Sequence, residues 1–477
     1  MSPPDPLLLA FDPDRFRDLG HRTVDLLADH LRAMHRREGP VLPWRAPEDM
    51  LGAWPGSFSP GGDPDAVAFF ERILEEATHL HHPRYIGHQV TAPLPSAAIL
   101  AMVAELLNNA STVYEMGPTS TAMERRLAGW LAGRLGWDAT SSDGFLTHGG
   151  SAGNLTALLA ARQHGAPFDV WEEGCWEPER YCLLVSDQAH YSIRRSAQVM
   201  GLGGQSVVPI ETDARYRMRV DALADTSRAV RAEGRTILAV VASAGSTATG
   251  SIDPLEAIAD LCGEERLWLH VDAAHGGAAA LSDRLRPSLR GIERADSVVV
   301  DAHKMMLLPA VITFVLFRDG KRSYETFAQQ ASYLFSGEGR REEWWDLAKR
   351  TLECTKRMLG FMVYGALRLH GTDLFAGYVE RTYDQARRFA GHLVSRPGWE
   401  LATEPESNIV CFRFAPASLA DPDAFQDRVR ERIVHGGSFY LVRARLRGKT
   451  YLRCTIINPL TTDQDLEALV ALVESLA

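Results

Sequence analysis

The sequence predicts an α/β protein: a large domain on a mostly parallel sheet, followed by a small α+β domain at the C-terminal end. Three observations carry this. Helical patterns alternate with short β-rich runs between about residues 90 and 320, the rhythm of strand, helix, strand. Those runs are almost continuously apolar, as strands covered on both faces are. Beyond residue 400 the strand-like runs become isolated between helical stretches. A length of 477 residues allows two or three domains.

Taken in order, Phe16, Leu19, Val24, Leu27, Leu31 and Met34 recur at helical spacing and predict an amphipathic helix ending near Gly39 and Pro40. Residues 41 to 64 carry Pro43, Pro47, Pro55, Pro60 and Pro64 and read as an irregular connector. Residues 1–85 thus form an N-terminal arm whose apolar stripe needs a partner surface. A large domain over 86–370 holds predicted strands at Tyr181 to Val185, Thr236 to Ala242, Leu267 to Val271, Ser297 to Val300 and Val311 to Phe317. Helix-rich stretches follow from Trp344 to His370 and from Leu374 to Leu393. The small domain, 371–477, contains strand-like runs at Asn408 to Phe414 and Thr450 to Ile457 and a final helix from Asp463.

Composition excludes several classes. With 45% hydrophobic and 23% charged residues the chain is not globally disordered. A net charge of -10, with no basic run beside an aromatic platform, argues against a nucleic-acid partner. The longest nearly apolar run, Leu307 to Phe317, has 11 residues and a proline, too short to cross a membrane. The N-terminus shows no basic n-region or small-residue cleavage site, so a cytoplasmic location is expected. Six scattered cysteines without a C-x-x-C pair read as free thiols. His79, His81, His82 and His88 form the one dense histidine cluster, but no Cys or carboxylate stands at zinc-like spacing beside it, so no metal is expected.

Parallel sheets place ligands beyond the carboxyl ends of their strands, so the residues that follow each run matter most. Asp301, Ala302, His303 and Lys304 follow Ser297 to Val300, and Lys304 is the first lysine in the chain. A partly desolvated amine there is suited to forming an imine with a carbonyl cofactor. Asp272 follows the apolar run ending at Val271, and a buried carboxylate at such a place needs a cation. A pyridinium nitrogen supplies one; a helix N-cap is the ordinary alternative. The turn Thr147 to Asn154, rich in glycine and opening a helix, is a phosphate site in physical terms, although many such turns are plain turns. His190 follows the run ending at Val185, and the turn Ser243 to Gly250 adds hydroxyls at the end of another. Jointly, a phosphate turn, a stacking histidine, a hydroxyl turn, an aspartate and a lysine at successive strand ends fit pyridoxal phosphate.

On these residues the chain resembles the group II pyridoxal-phosphate decarboxylases of amino acids, which include glutamate, cysteine sulfinate, diaminobutyrate and aromatic amino acid decarboxylases. The resemblance runs from His82-Pro83-Arg84-Tyr85 to Asn458-Pro459, and its specific parts are Ser186 to His190, His270 to Ala274, Asp301 to Lys304, and Ser332-Tyr333-Leu334. It implies the aspartate-aminotransferase-like fold type I, a homodimer, and an amino acid substrate losing CO2 to become an amine. It further implies that Lys304 binds the cofactor, Asp272 pairs with the ring nitrogen and His190 stacks on the ring. Gly150, Ser151 and His303 would hold the phosphate, and Thr247 and Ala274 would line the ring. Tyr333 would be the acid that protonates Cα.

His88, Gln89, Thr91 and Arg453 stand where substrate is expected. A polar entrance and a guanidinium that can grip a carboxylate lean toward a polar or acidic substrate, with aromatic ones still open. The same strand-end set also suits an aldehyde synthase, in which decarboxylation is coupled to oxidation by O2, or an aminotransferase. Tyr333 and His190 together favour the decarboxylase.

Overall fold

Seven strands make the central sheet, most of them short apolar runs with both faces to cover. They are β1 (Asp143–Thr147), β2 (Tyr181–Ser186), β3 (Val207–Ile210), β4 (Thr236–Ser243), β5 (Leu269–Asp272), β6 (Ser297–Asp301) and β7 (Thr313–Phe317). In the computed structural model, which describes residues 5–61, 65–177, 180–327 and 345–477, their order is β1-β7-β6-β5-β4-β2-β3. Neighbours from β3 through β6 are parallel, while β7 runs against both β6 and β1. Every residue of β1, β2, β5, β6 and β7 is buried, as expected when helices cover both faces. Reversal at β7 leaves β1 pointing the same way as β6, so the chain leaves β1, β2, β4, β5 and β6 at one edge of the sheet. That edge is where the chemistry-bearing residues gather.

The helix Gly150–Gly165 lies against β4, β6 and β7 and brings its N-terminus to that edge. On the other side of β1, the helix Pro118–Arg134 supplies a buried charge: Glu124 accepts from Leu146 N at 2.9 Å and pairs with Lys356. Lys356 also donates to Leu146 O at 2.6 Å, and both charged side chains are essentially without solvent access. Breaking such a pair leaves one charge stranded, so Lys356→Met is expected to cost about 3–5 kcal/mol of stability. Urea unfolding would check this; a loss under about 1 kcal/mol would mean that Glu124 is neutral or hydrated in the folded chain.

The chain divides into two compact units, one comprising residues 89–395 and 401–411, the other 1–88, 396–400 and 412–477. A second sheet, of four strands in the order β10-β11-β9-β8, comprises β8 (Trp399–Leu401), β9 (Ile409–Phe414), β10 (Val442–Leu446) and β11 (Lys449–Thr455). Arg447 and Gly448, both at positive φ (48° and 80°), make the tight β10–β11 hairpin. Within the smaller unit the early chain is tied to the late chain. Ile86 N donates to Tyr440 O at 3.0 Å, Thr455 N to Ile86 O at 2.7 Å, and the Arg37 guanidinium meets Asp465 at 2.8 Å. Asp465 is buried, and desolvation would push its carboxyl up, but Arg37 and the Thr462 hydroxyl and amide hold it well below the usual range.

Several expectations shift. The strand expected from Val311 begins only at Thr313: a short helix, Ala302–Met305, comes before it, then non-strand chain in which Ala310 and Val311 are exposed and Pro309 withholds an N–H. Of the helix-rich stretch expected from Trp344, residues 345–358 hold only a short helical turn, Leu347–Lys349, and the long helix runs from Leu359 to Val394, broken at Gly371 (φ 72°) where two helices were expected to part. β1 and β3 were not among the predicted strands, and the proline-rich connector holds a short helix, Pro47–Gly52, started by its own proline.

Candidate active site

A cavity of about 340 Å³ opens at the carboxyl edge of the large sheet. Its lining brings together Gly150, Ser151, His190, Thr247, Asp272, Ala274, His303 and Lys304, residues that lie up to 154 positions apart in sequence (304 − 150). All the cofactor-side residues predicted from sequence therefore meet in one place. Tyr333 falls outside the described residues.

Each wall follows from its strand. β1 ends in Thr147, the chain turns at Gly149 (φ 96°), and the helix begins at Gly150 with its first amides lacking intrahelical acceptors. That terminus favours an anion. A Cβ on Gly150 would stand 3.0 Å from Asp301 Oδ2, so the glycine lets two walls approach. Glu353 steadies the turn by accepting from Thr147 Oγ1 at 2.7 Å and meeting His148 Nδ1 at 2.6 Å. β4 and β5 end almost in contact: a Cβ on Gly276 would stand 2.5 Å from Ala244 O.

At the end of β6, Lys304 Nζ lies 2.9 Å from Asp301 Oδ2, and Asp301 accepts a further bond from Thr313 Oγ1. Burial alone would push the Asp301 carboxyl up, yet Lys304 and His303 beside it hold it below its ordinary value. His303 turns Nδ1 to Ile312 O at 3.0 Å. At the end of β5, Asp272 is buried and accepts from Asn154 Nδ2 at 2.9 Å and Ala274 N at 3.2 Å. At the start of the helix Tyr191–Val199, His190 Nδ1 accepts from Ser192 N at 3.3 Å and lies 2.8 Å from Ser192 Oγ. Burial lowers the His190 pKa, and the positive Lys304 adds to this against the opposing pull of Asp272.

Sequence reasoning passed over Asn154, Asp301 and Glu353 as site residues. Asp301 had a signal, a carboxylate one turn ahead of the strand-end lysine, and Asn154 stands one turn after Ser151 on the same helix face. Glu353 had none, since it meets His148 across 205 residues.

Of the proposed substrate residues, Gln89 and Thr91, which share the larger unit with this cavity, do not line it. In the larger unit Thr91 is buried, with its hydroxyl against Ala92 O and the Tyr378 phenol. Gln89 is also buried, its Nε2 without a hydrogen-bond partner among the described residues. In the smaller unit His88 packs 5.7 Å from the Tyr440 ring, and burial, with Arg453 and Arg430 nearby, lowers its pKa. His79 engages carbonyls of Pro40 and Leu74 through its two ring nitrogens, at 2.7 and 2.8 Å.

Asp272 tests the cofactor. Among the described residues it forms no ion pair, and its hydrogen-bond donors are both neutral, so a buried carboxylate faces the cavity with its charge uncompensated. A protonated ring nitrogen answers that need, and a phosphate suits the Gly150 terminus. The residues present fit pyridoxal phosphate.

Comparison with known proteins agrees. Residues 69–415 match the pyridoxal-dependent decarboxylase conserved domain. The chain is 29% identical to an aromatic-L-amino-acid decarboxylase of Bacillus atrophaeus, over 98% of this chain and 97% of that one. It is 30% identical to human cysteine sulfinic acid decarboxylase, covering 91% of each. The crystal structure of mouse CSAD superposes with a TM-score of 0.89 at 27% identity, over 98% of this chain and 99% of that one. Site and similarity converge: the chain belongs to the pyridoxal-dependent decarboxylase family and is a carboxy-lyase that uses pyridoxal phosphate to decarboxylate amino acids.

Proposed function

We propose that this enzyme removes CO2 from an L-amino acid with a polar or acidic side chain to release the primary amine, working as a cytoplasmic homodimer. The uncompensated Asp272 carboxylate in the strand-end cavity is the observation that carries the site reading. When bound, pyridoxal phosphate supplies a conjugated cationic ring that accepts the electron pair left by departing CO2. Lys304 would hold its carbonyl carbon, Asp272 its ring nitrogen, His190 its face, and Gly150, Ser151 and His303 its phosphate. Thr247 and Ala274 would border the ring.

This chain's own groups do the remaining work. Asp301 lies against the Lys304 amine, which must give up a proton before it acts as a nucleophile. Asp272, which accepts from two neutral donors, would keep the proton on the ring nitrogen. His190, its pKa lowered by burial, presents an uncharged ring. Tyr333 is assigned the proton delivered to Cα. Tyr333→Phe is accordingly expected to divert at least about half of the product from amine to aldehyde, a change of roughly 1 kcal/mol or more in relative barrier. Mass spectrometry of products formed in air checks this, and unchanged amine output removes Tyr333 from the role.

The acidic lean rests on Arg453 and His88, which feel each other's charge in the smaller unit, and on the sulfinic acid in the name of one relative. Dimer formation rests on the helix Pro13–His35, which buries only Met34 while Phe16, Val24 and Leu27 stay exposed. Six free thiols, with Cys354 exposed, suit a reducing compartment. Incubating the cofactor-loaded protein with acidic, basic and aromatic L-amino acids and identifying the products tests the activity and the lean together. An amine from acidic substrates supports both; an amine from aromatic ones alone refutes the lean, and aldehyde with peroxide points to the oxidative reaction.

A further inference from the structure

We infer that Asn154 is a positioning residue that locks Asp272 and His190 into one hydrogen-bond arrangement. The inference rests on the reading that these two side chains hold the cofactor.

Asn154 lies on the helix whose first turn carries Gly150 and Ser151, one turn beyond Ser151 and on the same face. It is buried and makes three side-chain bonds. Nδ2 reaches Asp272 Oδ2 at 2.9 Å and Ser192 Oγ at 3.0 Å, and Oδ1 meets His270 Nε2 at 3.0 Å. One short side chain thus joins the phosphate-side helix to the ends of β5 and β2.

Donor and acceptor roles around it are determined. The Ser192 backbone N–H points at His190 Nδ1, so that nitrogen carries no hydrogen and takes the Ser192 hydroxyl hydrogen as well. Ser192 Oγ therefore accepts from Asn154 Nδ2, whose second hydrogen goes to Asp272. Asn154 Oδ1 then faces His270 Nε2–H, and His270 Nδ1 accepts from Ser297 Oγ at 2.9 Å. Ser297 Oγ in turn accepts from Trp268 Nε1 at 3.0 Å. Burial holds the His270 pKa down at about 4, so its ring is neutral and carries the one hydrogen this order requires. Turning the amide over would set its oxygen against the Asp272 carboxylate.

Two consequences follow. Asp272 receives an N–H from Asn154 on Oδ2 while it lines the cavity. His190 is left with its hydrogen on Nε2, because Ser192 claims Nδ1. Asp272 does not shift without losing its bond from Asn154, and His190 is tied to Asn154 through the Ser192 hydroxyl.

Asn154→Asp keeps the shape of the side chain and replaces its donor by an acceptor facing Asp272, which separates positioning from packing. Pyridoxal phosphate is titrated into the apo form of the full-length protein, and the pH dependence of the bound cofactor's visible absorbance is recorded. Asn154→Asp is expected to weaken cofactor binding by roughly tenfold to hundredfold at neutral pH, with recovery at lower pH as one carboxyl of the pair protonates. Asn154→Ala is expected to weaken binding about tenfold without that recovery. Ser192→Ala should leave affinity within about threefold while shifting the absorbance titration, since only the His190 arm is cut.

An Asn154→Asp protein that binds pyridoxal phosphate and titrates like wild type overturns the inference. If that variant does not fold, judged by circular dichroism of the apo form, Asn154→Ala with wild-type affinity and titration overturns it equally. Asp272→Ala measured alongside separates the two failures. Wild-type affinity in Asp272→Ala refutes the site reading itself, whereas lost affinity there with unchanged Asn154 variants refutes this inference alone.

Discussion

Replacing Lys304 by Ala is expected to lower amine formation by about 10⁴-fold, equivalent to roughly 5.5 kcal/mol of barrier, and to remove the visible absorbance of bound cofactor. The amine sits at the end of β6, its Nζ 2.9 Å from a fully buried carboxylate. No other lysine lines the cavity, so no second amine is placed to take over. The substitution also strands Asp301, whose buried charge is balanced by Lys304 and, more distantly, by His303. A thermal shift should therefore report a loss of up to about 3–5 kcal/mol in the apo form at neutral pH. Acidification should return much of it, since without Lys304 the carboxyl loses the neighbour that held its pKa down and burial then favours its protonated form. A variant that keeps the absorbance band, or more than a few per cent of the activity, would mean that another group holds the cofactor.

Asp272→Asn is expected to cost about 3–5 kcal/mol in kcat/KM, roughly 10²- to 10⁴-fold, because a neutral amide no longer retains a proton on the ring nitrogen. Its shape is almost unchanged, but only one of the two donors, Ala274 N and Asn154 Nδ2, keeps an oxygen to bind, so a stability loss of about 1–3 kcal/mol is expected alongside. Steady-state kinetics on the best substrate, with cofactor occupancy measured separately, decides this. Activity within about tenfold of wild type at full occupancy would show that the carboxylate charge is not needed.

What was readable in the sequence has a common physical form. Lys304, Asp272, His190 and Gly150 each stand within a few residues of the end of a short apolar run, and a parallel sheet delivers all such ends to one edge. Local pattern was therefore enough to collect the cofactor-side residues before any contact was known. The same logic began β7 too early, at Val311, which is apolar yet exposed and lies outside the strand that starts at Thr313. On the substrate side it named His88, Gln89, Thr91 and Arg453 from their polarity and charge, which do not say what each side chain faces, and Thr91 turns to Ala92 and Tyr378.

Taken by itself, the chain's order determined the α/β class, the strand-end residues and the cofactor they suit, since strand periodicity and turn chemistry are local properties. Tertiary structure alone decided the partnerships: Glu353 with His148 across 205 residues, Lys356 with Glu124 across 232, and Asn154 with Asp272 across 118. Such bonds depend on how sheet and helices pack, and a buried charge or amide takes whatever partner the packing brings within 3 Å, which no local pattern encodes.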